Sequence, residues 1–185
     1  MFKEMPASKA YRLLESGPIV MVSTRATNGS DNLMTMGFHM MVQHEPALVG
    51  AIIGPWDHSH EALRRTGECV LAIPTVDLAR IVVDVGNCSG SETDKFKRFG
   101  LTALPATDVR APLVGECLAN LECRVADTSL LDRYRLFILE VKRIWVDQDR
   151  KERRLIHHAG DGKFIVDGET IDLGDRMVRW QYLMD

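Results

Sequence analysis

The sequence predicts a mainly β protein, an antiparallel barrel carrying a few short helices, and two observations support this fold class. At least six segments have the length and residue types of β-strands, and turn residues separate several of them. Only two or three short helices lie between the strands, which favours a closed barrel over a doubly wound sheet. The simplest interpretation of the 185 residues is one domain, 1–185, with a C-terminal extension at about 147–185.

The first elements are a short helix and a β-hairpin. A helix is predicted at about 8–16, before a Gly-Pro pair that ends it. Ile19–Thr24 then has strand character, a turn rich in Asn and Gly follows, and Leu33–Val42 is predicted to return as the second strand of a hairpin. The short apolar run Leu48–Ile53 is the next predicted strand.

Helical signals occupy the middle of the chain. Ser59–Arg65 is predicted as a helix with Ser59 as its N-cap, because a Ser hydroxyl can accept a hydrogen bond from a free backbone N–H. Asp77–Val85 has apolar residues at helical spacing, which indicates an amphipathic helix. Thr93 is a candidate cap for a short third helix that Gly100 ends.

Two of the remaining strands, Cys117–Val125 and Tyr134–Val146, are predicted from apolar residues that recur on one strand face. One face of the long strand Tyr134–Val146 is expected to carry Phe137, Leu139, Val141 and Trp145. The other elements predicted outside the helices are the strand Cys69–Ile73, the loop Leu101–Pro112, and the hairpin strands Phe164–Val166 and Thr170–Leu173.

Composition excludes several classes of function. The net charge is −3, from 23 basic and 26 acidic residues that are well mixed, so no basic surface for nucleic acid or membrane is expected. No apolar segment is long enough to suggest a membrane span or a secretion signal, and we expect a cytoplasmic protein whose partner is a small molecule.

The cysteines and histidines give no metal or disulfide signal. The four cysteines form no C-x-x-C pair and are interpreted as buried thiols: Cys69, Cys88, Cys117 and Cys123. His157 and His158 are adjacent, so on a strand they point to opposite faces, and no acidic or Cys residue stands at ligand spacing. We therefore predict no metal site.

The segment Asn32–Val42 carries polar residues and a glycine in an otherwise apolar, strand-like run. Glycine is unfavourable inside a strand unless a ligand or another backbone approaches closely, so this segment is the predicted docking surface. The residues alone also allow simpler interpretations. Gly37 and Phe38 can be a bulge and a core aromatic, Lys95 a solvated charge and His60 a surface histidine. The methionines of this stretch can be core filling.

Several motifs, in their order and spacing, resemble the flavin reductase-like, FMN-binding split β-barrel family, which includes the flavoredoxins. The resemblance covers about 17–146. Its parts are NLMTMGF, Glu45-Pro46 before an apolar run, Ser59 opening a helix, Gly-Glu-Cys-Val, Ser89-Gly90 before Asp94-Lys95-Phe96, and Leu121-Glu122-Cys123. The resemblance implies a Greek-key, antiparallel split barrel and a homodimer with its flavin near the dimer interface.

The same resemblance implies a set of FMN-binding residues. The strand segment is expected to contact the flavin, Ser59 and His60 to meet the phosphate, and Lys95 to lie beside the isoalloxazine ring, where a cation raises the flavin potential. The full set is Asn32, Thr35, Met36, Gly37, Phe38, Ser59, His60, Ser89, Gly90, Lys95, Tyr134 and Phe164. Two residues depart from the family: His60 stands where a basic residue, often Arg, is common, and Tyr134 where a His is common.

The resemblance implies an NAD(P)H-dependent flavin reductase, in which NADH or NADPH passes a hydride to flavin N5. Positioning is then the main contribution of the protein, and no side chain is predicted as a catalytic acid or base. The sequence lacks a Gly-rich dinucleotide fingerprint, so two alternatives stay open. One is a flavoredoxin-type electron carrier that exchanges electrons with a redox protein. The other is a non-enzymatic flavin-binding protein.

Overall fold

The computed structural model describes residues 5–6, 17–173 and 176. Within them the strands are β1 Val20–Arg25, β2 Asp31–Met36, β3 His39–Gln43, β4 Leu48–Ile52, β5 Glu68–Ile73, β6 Ala103–Leu104, β7 Leu113–Val114, β8 Ala119–Asp127, β9 Leu136–Val146, β10 Ile156–Gly160 and β11 Lys163–Val166. The α-helices are α1 His58–Thr66, α2 Ala79–Gly86, α3 Lys95–Phe99 and α4 Leu131–Tyr134, and a 3-10 turn, Val76–Leu78, precedes α2. The helix predicted at 8–16 lies outside the described residues.

Seven strands form one antiparallel sheet in the order β2-β1-β5-β8-β9-β4-β3. The strands at its two edges, β2 and β3, are separated along the chain by only two residues, Gly37 and Phe38. The sheet must therefore curl until its edges approach each other, although no ladder joins them. This curled, open antiparallel sheet confirms the predicted mainly β, split-barrel fold class.

The predicted strand Leu33–Val42 is wrong as a single element. The chain leaves β1 after Met36, and β3 pairs with β4 instead of continuing the first hairpin. The second half of the segment is also not buried, since Met40, Met41 and Val42 are about half exposed. At Gly37-Phe38 the chain passes from pairing with β1 to pairing with β4. Long-range contacts determine this change, and the apolar residues on either side of it do not indicate where it occurs.

The sheet separates two main hydrophobic clusters. In β1 the side chains alternate between them: Val20 and Val22 belong to the cluster inside the curl, and Met21 belongs to the cluster on the other face. Helix α2 and the start of α3 pack on this outer cluster through Val82, Val85 and Phe96. Helices α2 and α3 are thereby fixed against β2, which positions the site described below.

The helix ends differ from the predicted caps. Asp57 is the N-cap of α1, so Ser59 lies inside the helix rather than at its cap. Asp94, not Thr93, caps α3, because its carboxylate accepts a hydrogen bond from the Lys97 N–H at 3.1 Å. The predicted stop at Gly100 is confirmed, since this residue has the left-handed φ of 65° that glycine adopts without strain.

Strands β8 and β9 confirm the predicted antiparallel pair, with two corrections. Tyr134 belongs to the short helix α4 and not to the strand. A register shift beside Lys142 reverses the alternation of side chains, so Trp145 does not share the buried face of Phe137 and Leu139. Its indole N–H instead reaches Glu122 on the other face, at 2.6 Å.

The C-terminal hairpin is shifted from its predicted position. β11 pairs with β10, and the turn between them lies at Asp161-Gly162 rather than at Asp167-Gly168. Thr170–Leu173 is not a strand, and the predicted loop Leu101–Pro112 contains β6. Among the described residues, no helix is long and apolar enough to cross a membrane.

Candidate flavin-binding groove

A groove runs between β2 and α2, and we call it the β2–α2 groove. It consists of two adjoining cavities, an apolar section of about 460 Å³ and a polar section of about 280 Å³, that share Thr35 and Gly86. The Thr35 hydroxyl donates to the Val82 carbonyl oxygen at 2.6 Å, which ties the strand to the helix between the two sections. The groove is therefore built on regular elements whose spacing is fixed by a direct hydrogen bond.

Asn32 presents an unsatisfied amide to the polar section. Its side chain is only 6% exposed, and its Nδ2 group donates to the Ser59 hydroxyl at 2.8 Å. The Oδ1 atom is buried and accepts no hydrogen bond from the described part of the chain. A buried polar atom without a partner is unfavourable, so this amide is suited to a bound ligand.

Ser59 acts on the groove through Asn32. It is fully buried, and its oxygen accepts hydrogen bonds from Asn32 and, at 3.3 Å, from Thr24. These contacts hold the Asn32 amide in one orientation. Ser59 itself lines neither section of the groove.

Gly90 allows the loop after α2 to close over Asn32. A Cβ atom at this position would lie 2.0 Å from Asn32 Oδ1 and 2.7 Å from a ring carbon of His58. No side chain fits there without moving these two residues, so glycine is required by close approach rather than by backbone angle. The loop, the strand and the start of α1 therefore meet at one point.

Lys95 places a buried cation in the polar section. It is 3% exposed, and its Nζ donates to the Val85 carbonyl oxygen at 2.8 Å. None of the ion pairs between described residues includes it, and burial lowers the pKa of Lys95 while weaker interactions with Cys88 and Asp57 raise it. An ammonium held without a carboxylate partner attracts an anionic or electron-rich ligand.

The apolar section offers flat hydrophobic walls. Its apolar side chains come from four separate places in the chain: Ile19, Phe38, Val82, Val83 and Phe164. Phe164 stacks at a tilt on His158, with ring centroids 5.1 Å apart. Planar aromatic ligands bind well in such a space, because aromatic and aliphatic side chains cover both faces of a ring.

Eight of the twelve predicted site residues line the groove. They are Asn32, Thr35, Gly37, Phe38, Ser89, Gly90, Lys95 and Phe164. Outside it lie Ser59, as described above, and Met36, which packs in the cluster inside the curl. His60 packs edge-on against Phe137, and Tyr134 is exposed beneath the Arg133 guanidinium. The binding role of all twelve residues stays a prediction.

The groove also contains residues that the sequence did not single out. His58, Asp57 and Trp56 enter it from the start of α1, and Cys88 from the loop after α2. The Gly54-Pro55 turn before α1 was a signal for the first three, since loops before helices often carry binding residues. His158 had no such signal, because only the pairing of β10 with β11 brings it to the apolar section.

No group of three or more His, Cys, Asp or Glu residues suited to a metal ion occurs in the described ranges. His157 Nε2 lies 2.9 Å from Asp167 Oδ1, an acidic neighbour ten residues along the chain that the sequence spacing did not indicate. Three of the four cysteines are buried as predicted, whereas Cys88 is partly exposed. Described cysteines form no disulfide.

The fold and the groove define a class: an antiparallel split barrel with a groove between its edge strand and the helices packed on it. The chain belongs to the flavin reductase like domain family, whose model matches residues 12–164. This membership supports flavin binding in general.

Individual proteins resemble this chain in sequence or in structure. An uncharacterized protein of Archaeoglobus fulgidus is 33% identical over 138 residues, which cover 71% of this chain and 78% of that protein. An FMN-binding domain of a flavin reductases-like enzyme from Shewanella baltica superposes with a TM-score of 0.78 at 26% identity, covering 91% and 95% of the two chains. The flavoredoxin of Desulfovibrio vulgaris shares the fold, with a TM-score of 0.83 at 22% identity over 93% and 96% of the chains.

Proposed function

We propose that the β2–α2 groove binds FMN. The observation that carries this proposal is a pair of groups in the polar section: the Asn32 Oδ1 atom, which has no hydrogen-bond partner among the described residues, and the Lys95 ammonium, which bonds one carbonyl oxygen but forms no ion pair with them. Both groups are buried, and each is left able to bond a ligand. The family to which the chain belongs includes FMN-binding proteins. A ligand with a polar, partly anionic end and a flat apolar end fits the two sections.

Different residues of the groove contact the apolar and the polar parts of the cofactor. Phe38 and Phe164 cover flat apolar surface, while Asn32 and Lys95 bond polar atoms. Because the Ser59 hydroxyl accepts a hydrogen bond from the Asn32 NH₂ group, the Oδ1 atom of Asn32 is left as the acceptor for the ligand. The Lys95 ammonium favours negative charge nearby and thus the reduced form of the cofactor.

We further propose that the protein is an NAD(P)H-dependent flavin reductase. When bound, FMN supplies two-electron chemistry that accepts a hydride from a nicotinamide and passes electrons onward. The chain itself orients the two rings and excludes water from the apolar section, and among the described groove residues none is required as a general acid or base. The flavin reductases-like enzyme of Shewanella baltica, at 26% identity, supports this proposal.

A homodimer is proposed on separate grounds. β3 is a sheet edge, and Met40 and Met41 on it are more than half exposed beside Phe38 at the rim of the groove. A second copy of the chain would cover this edge and this apolar surface. Light scattering after size-exclusion chromatography is expected to give twice the chain mass of 20.8 kDa, and the chain mass itself would exclude the dimer.

A flavoredoxin-type electron carrier is the second candidate function. The groove opens to solvent beside Trp56, which is 74% exposed and lies outside the surface proposed for the dimer. Exposed aromatic residues at a cofactor site give a redox protein a surface to contact. The missing dinucleotide fingerprint also favours this candidate over a dedicated nicotinamide enzyme.

Anaerobic reduction kinetics separate the two functions. Protein loaded with FMN is mixed with NADH or NADPH, and the loss of oxidised flavin absorbance is followed. The reductase predicts reduction within seconds by one of the two nucleotides. Reduction by dithionite or a redox protein, but by neither nucleotide, would overturn the reductase and favour the carrier.

A further inference from the structure

Cys88 differs from the other three cysteines in its surroundings. Cys69, Cys117 and Cys123 are buried, and burial raises the pKa of the Cys117 thiol to about 12, which makes it unreactive at neutral pH. Cys88 is partly exposed and lines the polar section of the groove. It is therefore the cysteine that a small reagent can reach in the folded protein.

The Cys88 thiol lies near enough to the Lys95 ammonium to interact with it electrostatically. Lys95 Nζ donates to the Val85 carbonyl oxygen at 2.8 Å, and Cys88 Sγ donates to the same oxygen at 3.8 Å and to the Asp84 carbonyl oxygen at 3.5 Å. Of the described residues lining the polar section, Lys95 is the one Lys or Arg, and no ion pair neutralises it. An ammonium in this position stabilises negative charge on a sulfur that attacks an electrophile.

The position of Cys88 connects its chemistry to the ligand. The same section holds the unpartnered, 6% exposed Asn32 amide, which independently marks it as a place where a ligand binds. The section has a volume of only about 280 Å³. A substituent of tripeptide size on the Cys88 sulfur would take the space and the cation that the ligand needs.

We propose that Cys88 is a modification site for low-molecular-weight disulfides, and that the mixed disulfide formed there excludes the cofactor from the groove. The effect on the cofactor rests on the proposed FMN binding, whereas the modification does not. The Cys88 thiolate attacks one sulfur of the disulfide, a new S–S bond forms and the old one breaks. The Cys88 sulfur is oxidised, the departing sulfur is reduced and takes up a proton, and excess thiol reverses the exchange.

The test uses oxidised glutathione as the probe on the folded full-length chain. Intact mass is expected to show one glutathionyl group per chain in the wild type and none in Cys88→Ser, and peptide mapping of the wild type locates the adduct without relying on the variant. FMN affinity of the treated wild type is expected to fall about tenfold or more and to recover with dithiothreitol. Treated and untreated Cys88→Ser should bind FMN equally.

Lys95 supplies a second readout. Lys95→Met should slow adduct formation several-fold, whereas Lys97→Met, a change of an exposed lysine on the same helix, should not. Bound FMN should also protect Cys88 from the probe.

Three results would overturn the proposal: no adduct on the folded wild type, an equal adduct on Cys88→Ser, or an adduct that leaves FMN affinity unchanged. If the untreated wild type fails to bind FMN, the proposed function fails and the exclusion step falls with it. The adduct count then still decides whether Cys88 is the modification site.

Discussion

Two buried charges in this molecule have opposite surroundings. The Glu122 carboxylate accepts hydrogen bonds from the backbone N–H groups of Thr107, Asp108 and Val109 and from the Trp145 indole. Lys95, equally buried, donates to one carbonyl oxygen and faces a groove that also holds an unpartnered amide. The comparison indicates that a charge with all its partners in the chain stabilises the fold, while a charge without them is available to a ligand.

The largest effect is expected for Glu122, whose carboxylate has its hydrogen-bond partners within the chain. Glu122→Gln keeps the shape of the side chain but turns an NH₂ group toward backbone donors, so about 2 to 3 kcal/mol of unfolding free energy should be lost. Urea unfolding monitored by circular dichroism measures this loss. FMN affinity should stay at the wild-type value, because Glu122 lies outside the groove, and a comparable loss of affinity would break the comparison.

The same contact predicts an acid dependence of stability. Burial raises the pKa of Glu122, but the hydrogen bonds from Trp145 and the three backbone N–H groups outweigh burial and hold it below 4.5. The contribution is therefore complete above pH 4.5 and is lost as pH falls through the lower pKa of the folded state. The stability difference between wild type and Glu122→Gln should shrink over that range, and a constant difference would show that the charge is not responsible.

Replacing Lys95, which forms no ion pair with the described residues, should weaken FMN binding without lowering stability. Lys95→Met removes a buried cation, so the unfolding free energy of the FMN-free protein should be unchanged or higher. FMN affinity should fall about tenfold, which corresponds to ~1.4 kcal/mol, and the flavin midpoint potential should decrease. Lys97→Met, an exposed change on the same helix, is the matched control. Equal FMN titrations for the two variants would remove Lys95 from the site.

The smallest effect is expected for Asn32, whose uncharged Oδ1 atom has no hydrogen-bond partner among the described residues. Asn32→Ala deletes the buried amide and one hydrogen bond to the ligand, so FMN affinity should fall about fivefold, for a contribution of about 1 kcal/mol. Asn28→Ala, in the exposed turn of the same hairpin, controls for changes in the hairpin itself. If both variants titrate like the wild type, the Asn32 Oδ1 atom does not contribute to FMN binding.

Sequence reasoning recovered the parts of this molecule that local patterns determine. Apolar residues spaced on one face predicted strands β8 and β9, continuous apolar runs predicted β1 and β5, which are buried on both faces, and helical spacing predicted α2. The break between β2 and β3 was missed, since Gly37-Phe38 changes partner through long-range closure of the sheet. The register shift beside Lys142 was missed for the same reason, and it reversed the expected face of Trp145.

In the candidate site, too, some residues were predicted from the sequence and others were missed. Asn32, Gly90 and Lys95 were singled out through family resemblance, and the structure brings them together in one section of the groove. His58 and His158 were not singled out. The rotation of α1 about its axis brings His58 into the groove, and the pairing of β10 with β11 brings in His158. His60, two residues after His58 on α1, turns toward Phe137 instead.

The central claim is that the β2–α2 groove binds FMN through Asn32 and Lys95, and a titration tests it most directly. The purified protein, freed of any bound flavin, is titrated with FMN while flavin fluorescence and the visible absorption spectrum are recorded. We predict saturation at one FMN per chain, with affinity reduced in Lys95→Met and in Asn32→Ala but not in Lys97→Met. No uptake of FMN by the wild type, or equal uptake by all four proteins, would contradict the account.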